Sequence, residues 1–179
     1  MSNTACATAS TDRSDPSQRS QTGRTHTART LGEDIDALVR AGPRLLSIYL
    51  TARLEPALRE CVMVAVSRAN ACARCTRVHE AWALRAGVPT EELEQLGAGE
   101  LAAIRGEHRP AVVYAAALAE ARFKVISPDA QAVADEHLEP GRQRDIEAIA
   151  RLISFANLSV NSAHAAASRV RARLTVGFR

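Results

Sequence analysis

The sequence predicts an all-α fold, a compact bundle of several helices. From Leu31 on, apolar residues recur at three- and four-residue spacing, the period of a helix with one buried face. Alternation of period two, which half-buried strands require, is scarce. Aromatic residues make up only 3% of the chain while alanine is abundant, and small side chains let helix axes approach closely. There is no internal repeat.

Residues 2 to 30 contain no Val, Ile, Leu, Met, Phe, Trp or Tyr, and hold twelve Ser or Thr with Arg13, Arg19, Arg24 and Arg29 interspersed. Such a segment buries too little apolar surface to offset its ordering entropy, so residues 1–30 are expected to be a disordered Ser/Thr/Arg-rich tail. Residues 31–179 are expected to form one helical domain with a real core.

Within that domain Leu31, Ile35, Leu38 and Val39 suit a short amphipathic helix ending before Gly42-Pro43, and Leu45, Leu46, Ile48, Tyr49 and Leu50 a second. A third starts near Pro56 and runs through Leu58, Val62 and Val66 toward Asn70, since proline is tolerated in a first turn. Asn70-Ala71 reads as a break. A further helix then runs from about Cys72 to Ala86, with Gly87 as its natural C′ residue and Pro89 beyond. Thr90, followed by Glu91 and Glu92, marks a new N-terminus, because acids there complement the helix dipole. Pro110 opens an alanine-rich helix to about Phe123, and Ser127-Pro128-Asp129 is a cap and first turn for one ending near His137. Glu139-Pro140-Gly141 is expected to turn the chain, ahead of a long helix from about Arg144 to Arg171 broken near Asn157.

The net charge is +3, Lys124 is the only lysine, and the arginines are dispersed rather than clustered. That balance argues against a dedicated nucleic-acid binder. No apolar stretch reaches the roughly 18 residues of a membrane span, and the N-terminus lacks the apolar core of a secretory signal. The expectation is a cytoplasmic protein without membrane contact, where a close cysteine pair is more often catalytic or metal-binding than structural.

That pair lies in Cys72-Ala-Arg-Cys75-Thr-Arg-Val-His79. On a helix, Cys75 falls about 60° and His79 about 20° to one side of Cys72, so all three share a face. A dithiol beside an imidazole is either a redox centre or three ligands of a metal site. A cysteine does redox work as its thiolate, and a free thiol with a pKa of about 8.5 is mostly protonated at neutral pH. The predicted helix N-terminus, His79, and the charges of Arg74 and Arg77 all favour the thiolate. Glu60, on the preceding helix, supplies an orienter: a carboxylate bonded to one ring nitrogen of His79 leaves the other toward the thiol.

Glu60, Cys72, Cys75 and His79 together resemble the alkylhydroperoxidase AhpD-like group of the carboxymuconolactone decarboxylase family, whose pattern is Glu, eleven residues, Cys-x-x-Cys, three residues, His. The continuation from Ala83 through Gly87 to Leu93 is similar as well, and the resemblance spans about residues 40 to 165. It implies an all-helical AhpD-like domain that assembles into homotrimers or homohexamers, and a peroxidase that reduces hydroperoxides. Cys75 would attack the peroxide, Cys72 would resolve the sulfenic acid to a disulfide, and His79 and Glu60 would relay protons. A dithiol protein or small thiol would then reduce the disulfide. No cofactor and no metal are expected at that site. One departure stands out: the peroxidase type carries a second histidine where this chain has Arg74, which stabilises an anion but relays no proton at neutral pH. Decarboxylase members generally lack the cysteine pair.

Two other readings belong to different classes: a zinc-binding helical interaction module using Cys72, Cys75 and His79 with Glu60 or Cys61, and a redox sensor without turnover. Cys61 otherwise reads as a small hydrophobe and Cys6 as incidental. His26, His108, His137 and His164 read as ordinary satisfied histidines, Trp82 and Tyr114 as core or subunit contacts, and Asn157 and Asn161 as partners for backbone at a helix irregularity.

Overall fold

A computed structural model describes residues 23–98 and 106–176. Its regular elements are helices: α1 (Ala28–Thr51), α2 (Pro56–Ala69), α3 (Ala73–Arg85), α4 (Thr90–Ala98), α5 (Arg109–Glu120), α6 (Pro128–His137) and α7 (Pro140–Val176). No strand occurs among the described residues, and no helix among them is long and apolar enough to cross a membrane. The all-α expectation holds. Most of the helix starts read from the sequence also hold, including proline in the first turn of α2, α5 and α6 and the Ser127 cap, whose Oγ accepts from the Ala130 amide.

Helix α2 organises the bundle. Residues Leu58 and Glu60 to Ser67 are all buried, so neighbours cover the helix on every side. On one side Leu58, Val62 and Val66 join Ile48 of α1, Ala115 and Leu118 of α5, and Ile146, Ile149 and Ile153 of α7 in the main core. On another, Cys61, Val64 and Ala65 meet Ala83 of α3, Val88 of the turn that follows it, Leu93 and Leu96 of α4, and Val112 and Ala116 of α5.

Three expectations need correction. The two short helices before residue 51 are one, with Pro43 inside α1. An interior proline costs about 3 kcal/mol, but tertiary contacts beside it hold the helix. Ala41, Leu45 and Ile48 pack on the core, and Arg44 pairs with the buried Asp145, which Arg53 also reaches at 2.9 Å. The second correction concerns α7, which starts at Pro140 and runs unbroken through Asn157. Its central polar residues face α2 instead of competing with their own backbone. The Ser67 hydroxyl donates to Asn157 Oδ1 at 3.3 Å, and Asn70 Nδ2 donates to Ser154 Oγ at 3.0 Å.

The third is the tail boundary. Residues 1–22 lie outside the described residues, but residues 23–30, expected in the tail, pack on the bundle. Thr27 caps α1 through a capping box with Thr30. The Arg24 amide donates to the Asn70 carbonyl, and its guanidinium to the Ala119 carbonyl at 3.0 Å. His26 packs on Phe155 and lies 3.3 Å from Asp34. These polar contacts compensate for the strap's lack of apolar side chains.

Asn161 ties the strap to the core, donating from Nδ2 to the carbonyls of both Arg24 (2.9 Å) and Asn70 (3.1 Å). Asn161→Ala is expected to cost about 1–2 kcal/mol of stability. It should lower the urea midpoint without changing the m-value, measured by far-ultraviolet circular dichroism. An unchanged midpoint would mean the strap is not held this way.

Candidate redox site at the start of helix α3

The expected break at Asn70-Ala71 is a Schellman turn. The Cys72 amide donates to the Ser67 carbonyl and the Ala71 amide to the Arg68 carbonyl, with Ala71 left-handed at φ +52°. This turn folds α3 back along α2 and makes Cys72 the N-cap residue and Cys75 a first-turn residue of α3. At the far end Gly87, at φ +91°, closes α3 in the same way, with the Val88 amide donating to the Ala83 carbonyl. A left-handed residue is needed there, and glycine adopts it at no steric cost.

Cys72 and Cys75 are joined as a disulfide, their Cα atoms 5.3 Å apart. His79 follows Cys75 by one helical turn, and helical side chains lean toward the N-terminus, so its ring lies over the turn that carries Cys75. His79 Nδ1 is 2.8 Å from Glu60 Oε2. With Glu60 ionised, Nδ1–H donates to the carboxylate and Nε2 is left as an acceptor. The other oxygen of Glu60 lies 3.7 Å from Arg59 Nε, and the Arg59 guanidinium stacks over Tyr49. The buried carboxylate thus has a partner on each oxygen. All four expected site residues, Glu60, Cys72, Cys75 and His79, therefore lie together at the α2–α3 contact.

Two clefts open beside this group. One, of about 570 Å³, is lined by Cys72, Arg74, Arg77, Asn161 and His164, with Gly23 of the strap at its edge. The other, of about 390 Å³, is lined by Cys72, Thr76, Arg77, Arg68 and Glu80, with Arg68 and Glu80 ion-paired at 2.8 Å. Cys75 lines neither cleft, although it is 9% exposed against 1% for Cys72. The two observations point to different sulfurs. The clefts bear on which sulfur a bulky partner meets, and the exposure on a small molecule's access. Unsatisfied amides of the first turn of α3 and the Arg74 and Arg77 side chains make this end electropositive. Arg74 occupies the position expected from the sequence, on the wall of the larger cleft.

A second group, not anticipated as a unit, lies across α2. Cys61, Glu92 in the first turn of α4, and His108, the N-cap of α5, bring one sulfur, one carboxylate oxygen and one ring nitrogen within 4.8 Å of one another. His108 Nδ1 is 3.2 Å from Glu92 Oε1. Each residue reads as unremarkable by itself, and no short spacing links positions 61, 92 and 108. Burial, helped by the charges of Glu92 and Glu60, pushes the Cys61 thiol up to about 12. Elsewhere, Tyr114 is a core residue as expected, Trp82 is exposed, and Asn161 serves the end of α2 rather than an irregularity in α7.

Residues 44–121 match the carboxymuconolactone decarboxylase family. The matched stretch contains all four site residues and the continuation through Gly87, but not the late helix with Asn157. No curated protein and no solved structure matches the chain.

With its thiol near 12, Cys61 should resist an aromatic disulfide reagent at pH 8 in native protein and react only after denaturation. Thiol counting on a Cys6→Ser background checks this. Fast stoichiometric labelling of the native disulfide form would contradict the burial.

Proposed function

We propose that this chain, whose residues 44–121 match the carboxymuconolactone decarboxylase family, is a thiol-dependent peroxidase or disulfide oxidoreductase of the AhpD type. The observation that carries the reading is the 2.8 Å contact between Glu60 and His79 one turn from a joined Cys72–Cys75 pair. A carboxylate that orients an imidazole next to a dithiol has a clear use in moving protons to and from sulfur.

In the reduced form, the Cys75 thiolate attacks the distal oxygen of a hydroperoxide. The O–O bond breaks, Cys75 becomes a sulfenic acid, and the alcohol leaves after taking a proton. His79 Nε2 accepts the thiol proton and returns it to the leaving alkoxide, while Glu60 stabilises the imidazolium between these events. Cys72 then gives up its thiol proton and attacks the Cys75 sulfur; the S–O bond breaks, the departing hydroxide takes up that proton and leaves as water, and the disulfide closes. A dithiol protein or small thiol attacks that disulfide, forms a mixed disulfide and restores the pair. The cleft wall at Cys72 favours this sulfur as the point of attack, which releases the Cys75 thiolate beside His79.

The zinc-module reading of the same residues needs both thiolates free, whereas their sulfurs are bonded to each other. Exposed apolar side chains on α1 and α3, among them Leu46, Leu50, Val78 and Trp82, support assembly into a homotrimer or homohexamer. The cytoplasm, a reducing compartment, suits a disulfide that must be turned over.

Reduced protein should consume an organic hydroperoxide and lose two thiols per chain from this pair. Cys75→Ser should abolish turnover, and His79→Ala should lower kcat/KM by about 10²–10⁴-fold, with a smaller loss for Glu60→Gln. Full activity in Cys75→Ser would sink the assignment. Peroxide consumption coupled to a dithiol reductant is the measurement.

A further inference from the structure

We propose that Cys61, Glu92 and His108 form a binding site for a divalent zinc-class ion, which ties α4 and the start of α5 to α2. This goes beyond the redox reading and does not depend on it. The three donors come from separate segments and meet in the interior: Cys61 is fully buried, Glu92 is 3% exposed and His108 9%. One sulfur, one carboxylate oxygen and one imidazole nitrogen are the donor types zinc takes.

The distances suit an ion. Donors about 2.0–2.1 Å from a tetrahedral zinc lie roughly 3.3 Å from each other. The Glu92–His108 separation is already 3.2 Å, and all three donor atoms fall within 4.8 Å. A metal–sulfur bond of about 2.3 Å then requires the thiol to approach by about an ångström, a side-chain adjustment rather than a change of fold. Three protein donors leave one tetrahedral position over.

The surroundings supply the energetic reason. Val64, Leu93, Leu96 and Val112 pack round the group, so a carboxylate here is held away from water, where a positive partner counts most. A divalent ion neutralises Glu92 and the thiolate together. Coordination is balanced by proton release: the Cys61 S–H bond breaks, the S–metal bond forms, and one proton leaves to solvent. The ion would join three separate segments: α2, α4 and the start of α5.

The experiment uses full-length protein carrying Cys6→Ser, with the Cys72–Cys75 disulfide intact, so that Cys61 is the remaining thiol. Titration with Co²⁺ should reach one equivalent per chain with a thiolate-to-cobalt charge-transfer band that Zn²⁺ abolishes. Zn²⁺ at about a hundredfold excess over Kd should raise the melting temperature by about 5–10 °C. Cys61→Ala and His108→Gln should each lose the band and the thermal shift. Because cavity formation at position 61 costs stability by itself, the His108→Gln result and the unmutated stoichiometry decide the matter. Absence of the band in the unmutated site, or a band and shift that survive both substitutions, overturns the proposal. The redox pair is locked as a disulfide throughout, so neither result bears on peroxidase activity.

Discussion

The burial of α2 on all its faces is the constraint from which the rest of the molecule follows. A helix with no solvent side cannot place a charged residue freely. Glu60 is nonetheless within it, and an unpaired buried carboxylate costs several kcal/mol. His79 and Arg59 answer that cost, one at each carboxylate oxygen. The same contact that makes Glu60 tolerable in the core orients the histidine beside the cysteine pair, so folding energetics and site geometry share one interaction.

The turn between α2 and α3 transmits this constraint to the cysteines. Its two Schellman bonds place Cys72 at the cap and Cys75 in the first turn, and the Asn70 carbonyl of the same turn is taken by Arg24 and Asn161. A left-handed alanine at position 71 persists because structure on both sides determines it. The strap at residues 23–27 thus steadies the backbone immediately before the redox pair, and Gly23 borders one of its clefts.

Consecutive residues of α2 serve two histidine–carboxylate groups. Glu60 holds His79, and Cys61, about 100° further round the helix, meets Glu92 and His108. Both groups combine sulfur, imidazole and carboxylate, yet their surroundings set them apart. The first lies at a helix N-terminus beside open clefts, where a thiolate is favoured and partners can reach it. The second is enclosed by apolar side chains that push its thiol up to about 12, which keeps the sulfur protonated and unreactive as a nucleophile.

By itself the sequence determined the helical class, the starts of most helices, the break at Asn70-Ala71 and the grouping of Glu60, Cys72, Cys75 and His79. These are local properties: apolar period, proline and glycine positions, and a spacing that survives because one tight turn joins two helices. Tertiary structure decided the rest. It kept α1 continuous through Pro43, because Arg44 and Arg53 meet Asp145 about ninety residues or more away. It kept α7 whole through Asn157, because that side chain's partner is on α2. It ordered a strap that composition alone assigned to the tail. And it assembled Cys61, Glu92 and His108, three residues of no local distinction, since proximity across separate helices leaves no periodic trace in one chain.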